Sequence, residues 1–181
     1  MFEVLDPNRL AAIVYDDGVA VDALMSAFAR ELVEAGVAAR GLVQLPPEEG
    51  GCGPRAPMRV QAVATGEIIP ICQQLGPGAG SCCLDTSALA GAAAMLRRDA
   101  LQPSDILFFS KFGKQEANGG GFRAELALAA SEGRTVLTAV KRGLVHKWLE
   151  FTGGQGTLLD HRLWVVRDWW ADLAYLRRRA A

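Results

Sequence analysis

The sequence predicts a three-layer α/β fold: a mainly parallel sheet of about five strands, helices on both faces of the sheet, and an additional β-hairpin. Three observations indicate this fold. Short apolar runs alternate along the chain with segments of helical periodicity, which is the pattern of βαβ units. The run at residues 105–110 (DILFFS) is mostly apolar, as in a central strand buried on both faces. Two further short runs flank Thr65-Gly66, as the strands of a hairpin would.

In the first half of the chain, a buried strand is predicted at residues 10–15 (LAAIVY), directly before the turn-forming residues Asp16-Asp17-Gly18. A helix is expected from Val21 to about residue 35, because apolar residues recur there at steps of three and four. The other predicted strands of this half lie at residues 40–45, 58–63 and 67–72.

In the second half, the side chain of Asp85 is suited to cap a helix that runs to about residue 100. A polar loop at residues 111–121 follows the central strand. The remaining predicted elements are a helix at 122–131, a strand at 135–140, a helix at 144–151, a short strand after Gly156 and a closing helix at 166–178. The crossovers between parallel strands are expected to be right-handed.

The composition is that of a soluble globular protein. Half of the 181 residues are hydrophobic, 22% are charged and the net charge is −1, so nothing in the electrostatics favours nucleic acid or an anionic membrane as a partner. No apolar run reaches the roughly 18 residues of a membrane span, and the N-terminus does not resemble a signal peptide. We therefore expect one cytoplasmic domain over residues 1–181, with neither a nucleic-acid nor a membrane partner.

Signals for a metal or a nucleophile are weak. Cys82 and Cys83 precede Asp85 and could offer thiolates to a soft metal, or could pack as small hydrophobes under the helix that Asp85 begins. The chain has no CxxC pair, and His146 and His161 are isolated, so the spacing predicts neither a zinc site nor a catalytic Cys-His or Ser-His-Asp set. No cofactor is predicted.

Candidate ligand-binding residues follow two of the predicted parallel strands. In open parallel sheets, ligands gather at the carboxyl ends of the strands. The candidates after the first strand are Asp16, Asp17 and Gly18, with Asp22 in the following helix. The candidates after the central strand are Ser110, Lys111, Lys114 and Glu116. The sequence thus predicts a binding site between these two loops.

The order of these segments resembles a known family. The first loop and helix, the Thr65-Gly66-Glu67 hairpin and residues 105–140 (DILFFSKFGKQEANGGGFRAELALAASEGRTVLTAV) are similar to the small nucleoside-triphosphatase branch of the P-loop proteins. The whole chain more closely resembles a bacterial domain-of-unknown-function family (DUF2478 type) related to that branch, through FGKQEANGGGF at 112–122 and CLD at 83–85. The resemblance implies a P-loop NTPase-like fold. Members often lie near molybdate-transport genes, which implies a link with molybdenum metabolism.

The phosphate-binding residues of that branch do not occur at the matching positions. A phosphate-cradling loop needs GxxxxGK[ST], in which backbone amides and the lysine bind phosphate and the hydroxyl coordinates magnesium. When residues 15–24 (YDDGVAVDAL) are laid on this motif, Val21 replaces the lysine and Asp22 the hydroxyl. Ser110 and Lys111 stand where the branch has an acidic pair for magnesium and water. Ordinary hydrolysis of a magnesium nucleotide is therefore not expected.

Three functions are compatible with these residues. The leading expectation is a ligand-binding or regulatory protein for a small anion or a nucleotide-like ligand, without efficient hydrolysis. The second is a nucleoside triphosphatase in which Lys111 or Lys114 restores the positive charge and Asp22 or Glu116 holds a cation. Against this second reading, the lysines could be merely solvent-exposed and Asp22 could simply favour the start of its helix. The third is a homo-oligomeric interaction module without a ligand.

The tryptophans near the C-terminus bear on the third function. Trp169, Leu173 and Leu176 form a stripe that is expected to pack on the sheet of its own domain. Adjacent Trp169 and Trp170 cannot share one helix face, so one of them could reach a partner or a second copy of the chain.

Overall fold

The structure, a computed structural model, describes residues 9–46, 58–71 and 85–180. The elements of the first two segments are β1 (Leu10–Tyr15), α1 (Val21–Glu34), β2 (Ala39–Gln44), β3 (Arg59–Ala62) and β4 (Ile68–Pro70). The elements of the last segment are α2 (Thr86–Leu101), β5 (Ile106–Phe108), α3 (Lys114–Ala117), α4 (Arg123–Ser131), β6 (Val136–Lys141), α5 (Val145–Thr152), β7 (Thr157–Asp160) and α6 (Leu163–Ala180). A short 3-10 turn, Arg142–Leu144, joins β6 to α5.

Within the described residues, the strands form one seven-stranded sheet in the order β4-β3-β2-β5-β6-β1-β7. β1 pairs in parallel with β6 and β7, and β5 pairs in parallel with β2 and β6. β3 and β4 continue the sheet beyond β2 as an antiparallel hairpin. The predicted fold class is confirmed: a mainly parallel sheet with an added hairpin.

Helices cover both faces of the sheet because the central strands are apolar on both sides. Successive side chains of a strand point to opposite faces, so β1 places Ala11 and Ile13 in one core layer and Ala12 in the other. The first layer is closed by buried residues of α1 and α6, among them Phe28 and Trp169. The second layer is closed by α2, α4 and α5.

The segment after the central strand is more ordered than the predicted polar loop at residues 111–121. Phe112 is buried and forms an isolated parallel bridge with Val140, so the sheet continues beyond the end of β5. The helical turn α3 follows it. Both features are too short to show a hydrophobic period, and for that reason the sequence pattern did not predict them.

The tryptophan stripe of α6 packs only in part as predicted. Trp169 and Leu173 are buried in the core layer that α1 also covers, whereas Leu176 is half-exposed. Trp170 packs at the margin of the same layer, and its ring centroid lies 6.4 Å from that of Trp169. Both adjacent tryptophans therefore contact their own domain.

The structure bears only in part on the predictions about cysteines and metal binding. All four cysteines lie outside these residues, and with them the two alternatives for Cys82 and Cys83. Within residues 9–46, 58–71 and 85–180, no group of three or more His, Cys, Asp or Glu side chains is placed to hold a metal ion. None of the described helices combines the length and the apolar character needed to span a membrane.

Candidate functional site

The candidate site lies at the carboxyl ends of β5, β6 and β1. These three strands are parallel neighbours, with β6 in the middle, so the segments that follow them meet at one edge of the sheet. The strands that precede the two predicted loops, β1 and β5, are therefore not neighbours. The end of β6 lies between them and contributes its own side chains.

A tight turn connects β1 to α1. Val19 donates a backbone hydrogen bond to the carbonyl of Asp16 (3.2 Å), and Gly18 has a φ of 85°. A positive φ at the third residue of such a turn favours glycine, so Gly18 has a conformational role. Helix α1 begins at Val21, and its N-cap residue, Ala20, provides no side-chain cap. The N–H of Val21 donates to the carbonyl of Val19 (2.9 Å), and no side chain among the described residues caps the other amides of the first turn of α1.

Asp16 forms a bidentate ion pair with Arg142. Nε of Arg142 donates to both carboxylate oxygens at 2.9 and 3.1 Å, and one terminal nitrogen donates to Oδ2 at 2.9 Å. These hydrogen bonds lower the pKa of Asp16 below its ordinary value and raise that of Arg142. The pair joins the turn after β1 to the first residue after β6.

Asp17 makes a second link to β6. Its Oδ1 lies 2.6 Å from Nζ of Lys141, the last residue of β6. Lys141 pairs in register with Tyr15, the last residue of β1. The two acidic residues of the turn thus meet two consecutive cations at the end of the neighbouring strand.

Asp22 and Lys111 form a third ion pair, deeper than the other two. Nζ of Lys111 lies 2.9 Å from Oδ2 of Asp22, and the side chains are 25% and 17% exposed. Oδ1 of Asp22 is buried and has no hydrogen-bond partner within residues 9–46, 58–71 and 85–180. The Lys111 ammonium also lies 5.9 Å from the centre of the Tyr15 ring, a cation–π contact. Burial raises the pKa of Tyr15, and the charges of Asp22 and Asp17 raise it further.

Glu116 points into its own loop and does not join this cluster. Its two carboxylate oxygens accept hydrogen bonds from the backbone N–H groups of Gly113 and Phe122, each at 2.9 Å. The carboxylate therefore caps both α3 and the start of α4. At Gly121, with φ 55°, an added Cβ would overlap Oε1 of Glu116, so this position requires glycine. Glu116 closes the loop, and both of its oxygens are engaged.

The remaining two candidates differ in exposure. Ser110 is buried at the end of the central strand, whereas Lys114 is exposed in the first turn of α3. Of the eight predicted residues, the structure brings Asp22 and Lys111 into direct contact and places Asp16, Asp17 and Gly18 in one turn beside them. Lys114 and Glu116 lie apart from these contacts.

Lys141 and Arg142 are the residues that the sequence-based prediction missed. They follow a predicted core strand directly, just as Asp16 and Lys111 do. The same reasoning about carboxyl ends, applied to the strand at residues 135–140, would have included them. What the sequence alone does not reveal is that β6 lies between β1 and β5.

The sheet order and the helices on both faces define a three-layer α/β protein, with the candidate site at the carboxyl edge of its parallel strands. The fold is similar to that of a human cancer-related nucleoside triphosphatase solved in solution, with a TM-score of 0.60 and 18% sequence identity, over 83% of this chain and 87% of that chain. The chain belongs to the family described as protein of unknown function (DUF2478), whose model matches residues 10–169.

One relative has a more specific name. The molybdenum import ATP-binding protein ModC 2 of Bradyrhizobium diazoefficiens is 41% identical over 179 residues. The match covers 98% of this chain but only 20% of that relative. This chain therefore spans about a fifth of the relative's length.

Proposed function

We propose that this chain is a ligand-binding or regulatory protein that binds a small anion or a nucleotide-like ligand at the carboxyl edge of β5, β6 and β1, without efficient hydrolysis. The observation that supports this most directly is the ion pair between Asp22 and Lys111, with 2.9 Å between Nζ and Oδ2. The proposal treats residues 1–181 as one domain.

The pair argues against a magnesium-dependent hydrolase. Hydrolysis of a nucleoside triphosphate on this fold uses a metal ion held by a hydroxyl in the first loop and by an acid after the central strand. By the family resemblance, those two positions are Asp22 and Lys111. A carboxylate and an ammonium at these positions satisfy each other's charge, and a cation at the second position repels a metal ion.

The same edge is suited to an anion. Three cations, Lys111, Lys141 and Arg142, lie at the carboxyl ends of two neighbouring strands, β5 and β6. The start of α1 adds backbone N–H groups and the positive end of a helix dipole. Lys114 is a further exposed cation after β5, without an ion-pair partner in the part of the chain that the structure describes. This arrangement favours an oxyanion or a phosphate group over a metal.

A role in molybdenum metabolism is the finer part of the proposal. Its support is the similarity to a protein named as a molybdenum import ATP-binding protein. Because this chain corresponds to only a fifth of that relative, we propose a regulatory contribution and not the import activity itself. Molybdate is a doubly charged tetrahedral oxyanion, and it could be bound by Lys141 and Arg142 once their carboxylate partners give way.

The test combines binding with hydrolysis. The unfolding temperature of the purified chain is measured with molybdate, inorganic phosphate, ADP, ATP and GTP, and phosphate release is followed with Mg²⁺ present. We expect a rise with at least one anion, of about 5–10 °C at a hundredfold excess over Kd, and no Mg²⁺-dependent release. Lys111→Met is expected to lose the rise, whereas Lys147→Met, which disrupts an exposed pair with Glu150 on α5, is expected to keep it.

Other outcomes decide between the alternatives. Mg²⁺-dependent phosphate release that disappears in Lys111→Met would favour the nucleoside triphosphatase with a relocated lysine. The absence of any thermal response, together with concentration-dependent self-association, would favour the homo-oligomeric module and end the binding proposal.

A further inference from the structure

The end of β6 presents two consecutive cations, Lys141 and Arg142, and each is occupied by a carboxylate of the turn after β1. We infer that these two cations are the ligand-contacting groups of the proposed site, and that Asp16 and Asp17 fill them as internal anions until a doubly charged oxyanion or a terminal phosphate group takes their place. This inference rests on the proposed function and deepens it, since it names the residues that meet the ligand and those that the ligand displaces.

The position of the two cations supports this role. β6 is the middle one of the three strands at the site, between β5 and β1. Its last residue, Lys141, lies in register with Tyr15 of β1. On the other side, Phe112, which follows Lys111, bridges to Val140. Lys111 and Lys141 therefore lie on neighbouring strands close to their carboxyl ends, and Arg142 follows Lys141 in the chain. A ligand above the end of β6 would have cations on two strands beside it.

The geometry of the Arg142 pair is that of oxyanion recognition. The guanidinium donates to both oxygens of Asp16 through Nε and a terminal nitrogen, at 2.9 to 3.1 Å. A planar guanidinium binds two oxygens of a phosphate group in the same bidentate manner. The Asp16 carboxylate thus takes the place of two oxygens of a tetrahedral anion.

The outer pairs are weak enough to exchange. Arg142 and Asp16 are 63% and 51% exposed, and Lys141 and Asp17 are 45% and 87% exposed. Ion pairs between such exposed side chains contribute little net stability, because water solvates the separated charges well. The inner pair of Lys111 and Asp22 is much less exposed and is expected to remain closed while the outer pairs open.

The displaced carboxylates determine the expected direction of the effect. Asp16 and Asp17 compete with the ligand for the cations, and after displacement they stay close to it and repel its charge. Neutralising them removes both the competition and the repulsion. An isosteric change to asparagine is therefore expected to tighten ligand binding, although it removes two ion pairs from the folded protein.

The experiment uses isothermal titration calorimetry of the full chain with molybdate, inorganic phosphate and ADP as separate probes. Asp16→Asn/Asp17→Asn is expected to lower Kd roughly three- to tenfold. Lys141→Gln/Arg142→Gln is expected to raise Kd roughly tenfold or more. The matched control is Glu31→Gln. It neutralises the acidic member of another exposed bidentate pair, with Arg167 between α1 and α6, and it is expected to leave Kd unchanged.

The probes distinguish the sources of the charge. If Asp16→Asn/Asp17→Asn binds molybdate or phosphate more tightly than the wild type does, the ligand is a free oxyanion. If only the binding of ADP becomes tighter, the ligand carries a terminal phosphate group. The inference is overturned if the wild type binds an anion and Lys111→Met abolishes this binding, but neither double variant changes Kd. The proposed function survives that result. If no variant binds any probe, both are overturned.

Discussion

The Nζ atom of Lys111 lies 2.9 Å from Oδ2 of Asp22, although 89 positions separate the two residues in the chain. The ion pair joins the segment after β5 to the first turn of α1, across the end of β6. Since both side chains are largely shielded from water, each charge depends on the other for its stabilisation. The pair therefore has consequences for the stability of the fold.

Removing one member of this pair is expected to destabilise the fold. In Lys111→Met, Asp22 loses its ion-pair partner, and its other oxygen already has no hydrogen-bond partner among the described residues. The expected loss is about 1–3 kcal/mol in the free energy of unfolding, measured by urea denaturation. Lys111→Met/Asp22→Leu should regain part of this loss. Lys147→Met, at an exposed pair, should change the free energy by less than about 0.5 kcal/mol. Equal losses in both lysine variants would contradict the prediction.

The link between Asp16 and Arg142 is expected to make stability depend on pH in the acid range. Hydrogen bonding to Arg142 lowers the pKa of Asp16 in the folded protein below its ordinary value of 3.8. The unfolded chain then binds more protons than the folded chain between these two values, so stability rises with pH there. The contribution is fully present above pH 3.8 and declines as the pH falls from there through the lowered value.

The measurement is the difference in unfolding temperature between the wild type and Asp16→Asn at a series of pH values. The advantage of the wild type should shrink at the acid end. In an Arg142→Gln background the pH dependence of the difference should be reduced, because the principal cause of the lowered pKa is gone. A difference that stays constant down to the lowest pH would refute the assignment.

The phenol of Tyr15 is expected to ionise above its ordinary pKa of 10.0, because it is partly buried and faces the carboxylates of Asp22 and Asp17. The chain has two tyrosines, so absorbance titration of a Tyr175→Phe variant reports Tyr15 alone. Adding Asp22→Asn should lower the pKa of Tyr15 only in part, since burial is the largest cause of the shift. Asp168→Asn on α6 serves as the remote control. An unchanged titration in Asp22→Asn would show that the two groups do not interact.

Glu116 is expected to matter for stability and little for ligand binding. Glu116→Ala leaves the backbone N–H groups of Gly113 and Phe122 without their carboxylate acceptor, and the expected loss is about 1–3 kcal/mol. Gln115→Ala, at an exposed position of the same short helix, should cost less than about 0.5 kcal/mol. Chemical denaturation gives both values. Anion affinity that falls in Glu116→Ala while stability stays unchanged would instead assign Glu116 to the ligand.

Much of the fold was predictable from local patterns. The first strand was predicted with its observed bounds, and the helix from Val21 and the hairpin around Thr65-Gly66 were found within a few residues. Asp85 caps α2 as expected, accepting hydrogen bonds from the amides of Ser87 and Ala88. These features depend on hydrophobic period, turn residues and capping side chains, all of which act over a few neighbouring residues.

Less of the candidate site was predictable. The carboxyl-end rule selected Asp16, Asp17, Asp22 and Lys111, which do lie together. It also selected Glu116, because a carboxylate in a polar loop looks available for a cation when its backbone partners are unknown. Those partners depend on how the chain turns between Gly113 and Phe122, and no local pattern specifies that turn.

The sequence by itself determined most of the elements, although not the short helix α3, and which residues follow each strand, because both properties are local. It also determined that residues 1–181 contain no GxxxxGK[ST] motif, since a motif is a matter of residue identity. Only the tertiary structure decided that β6 lies between β5 and β1, because strand order follows from how the helices pack on the two faces of the sheet. That order brings Lys141 and Arg142 against Asp16 and Asp17, and allows Lys111 to meet Asp22 across the end of β6.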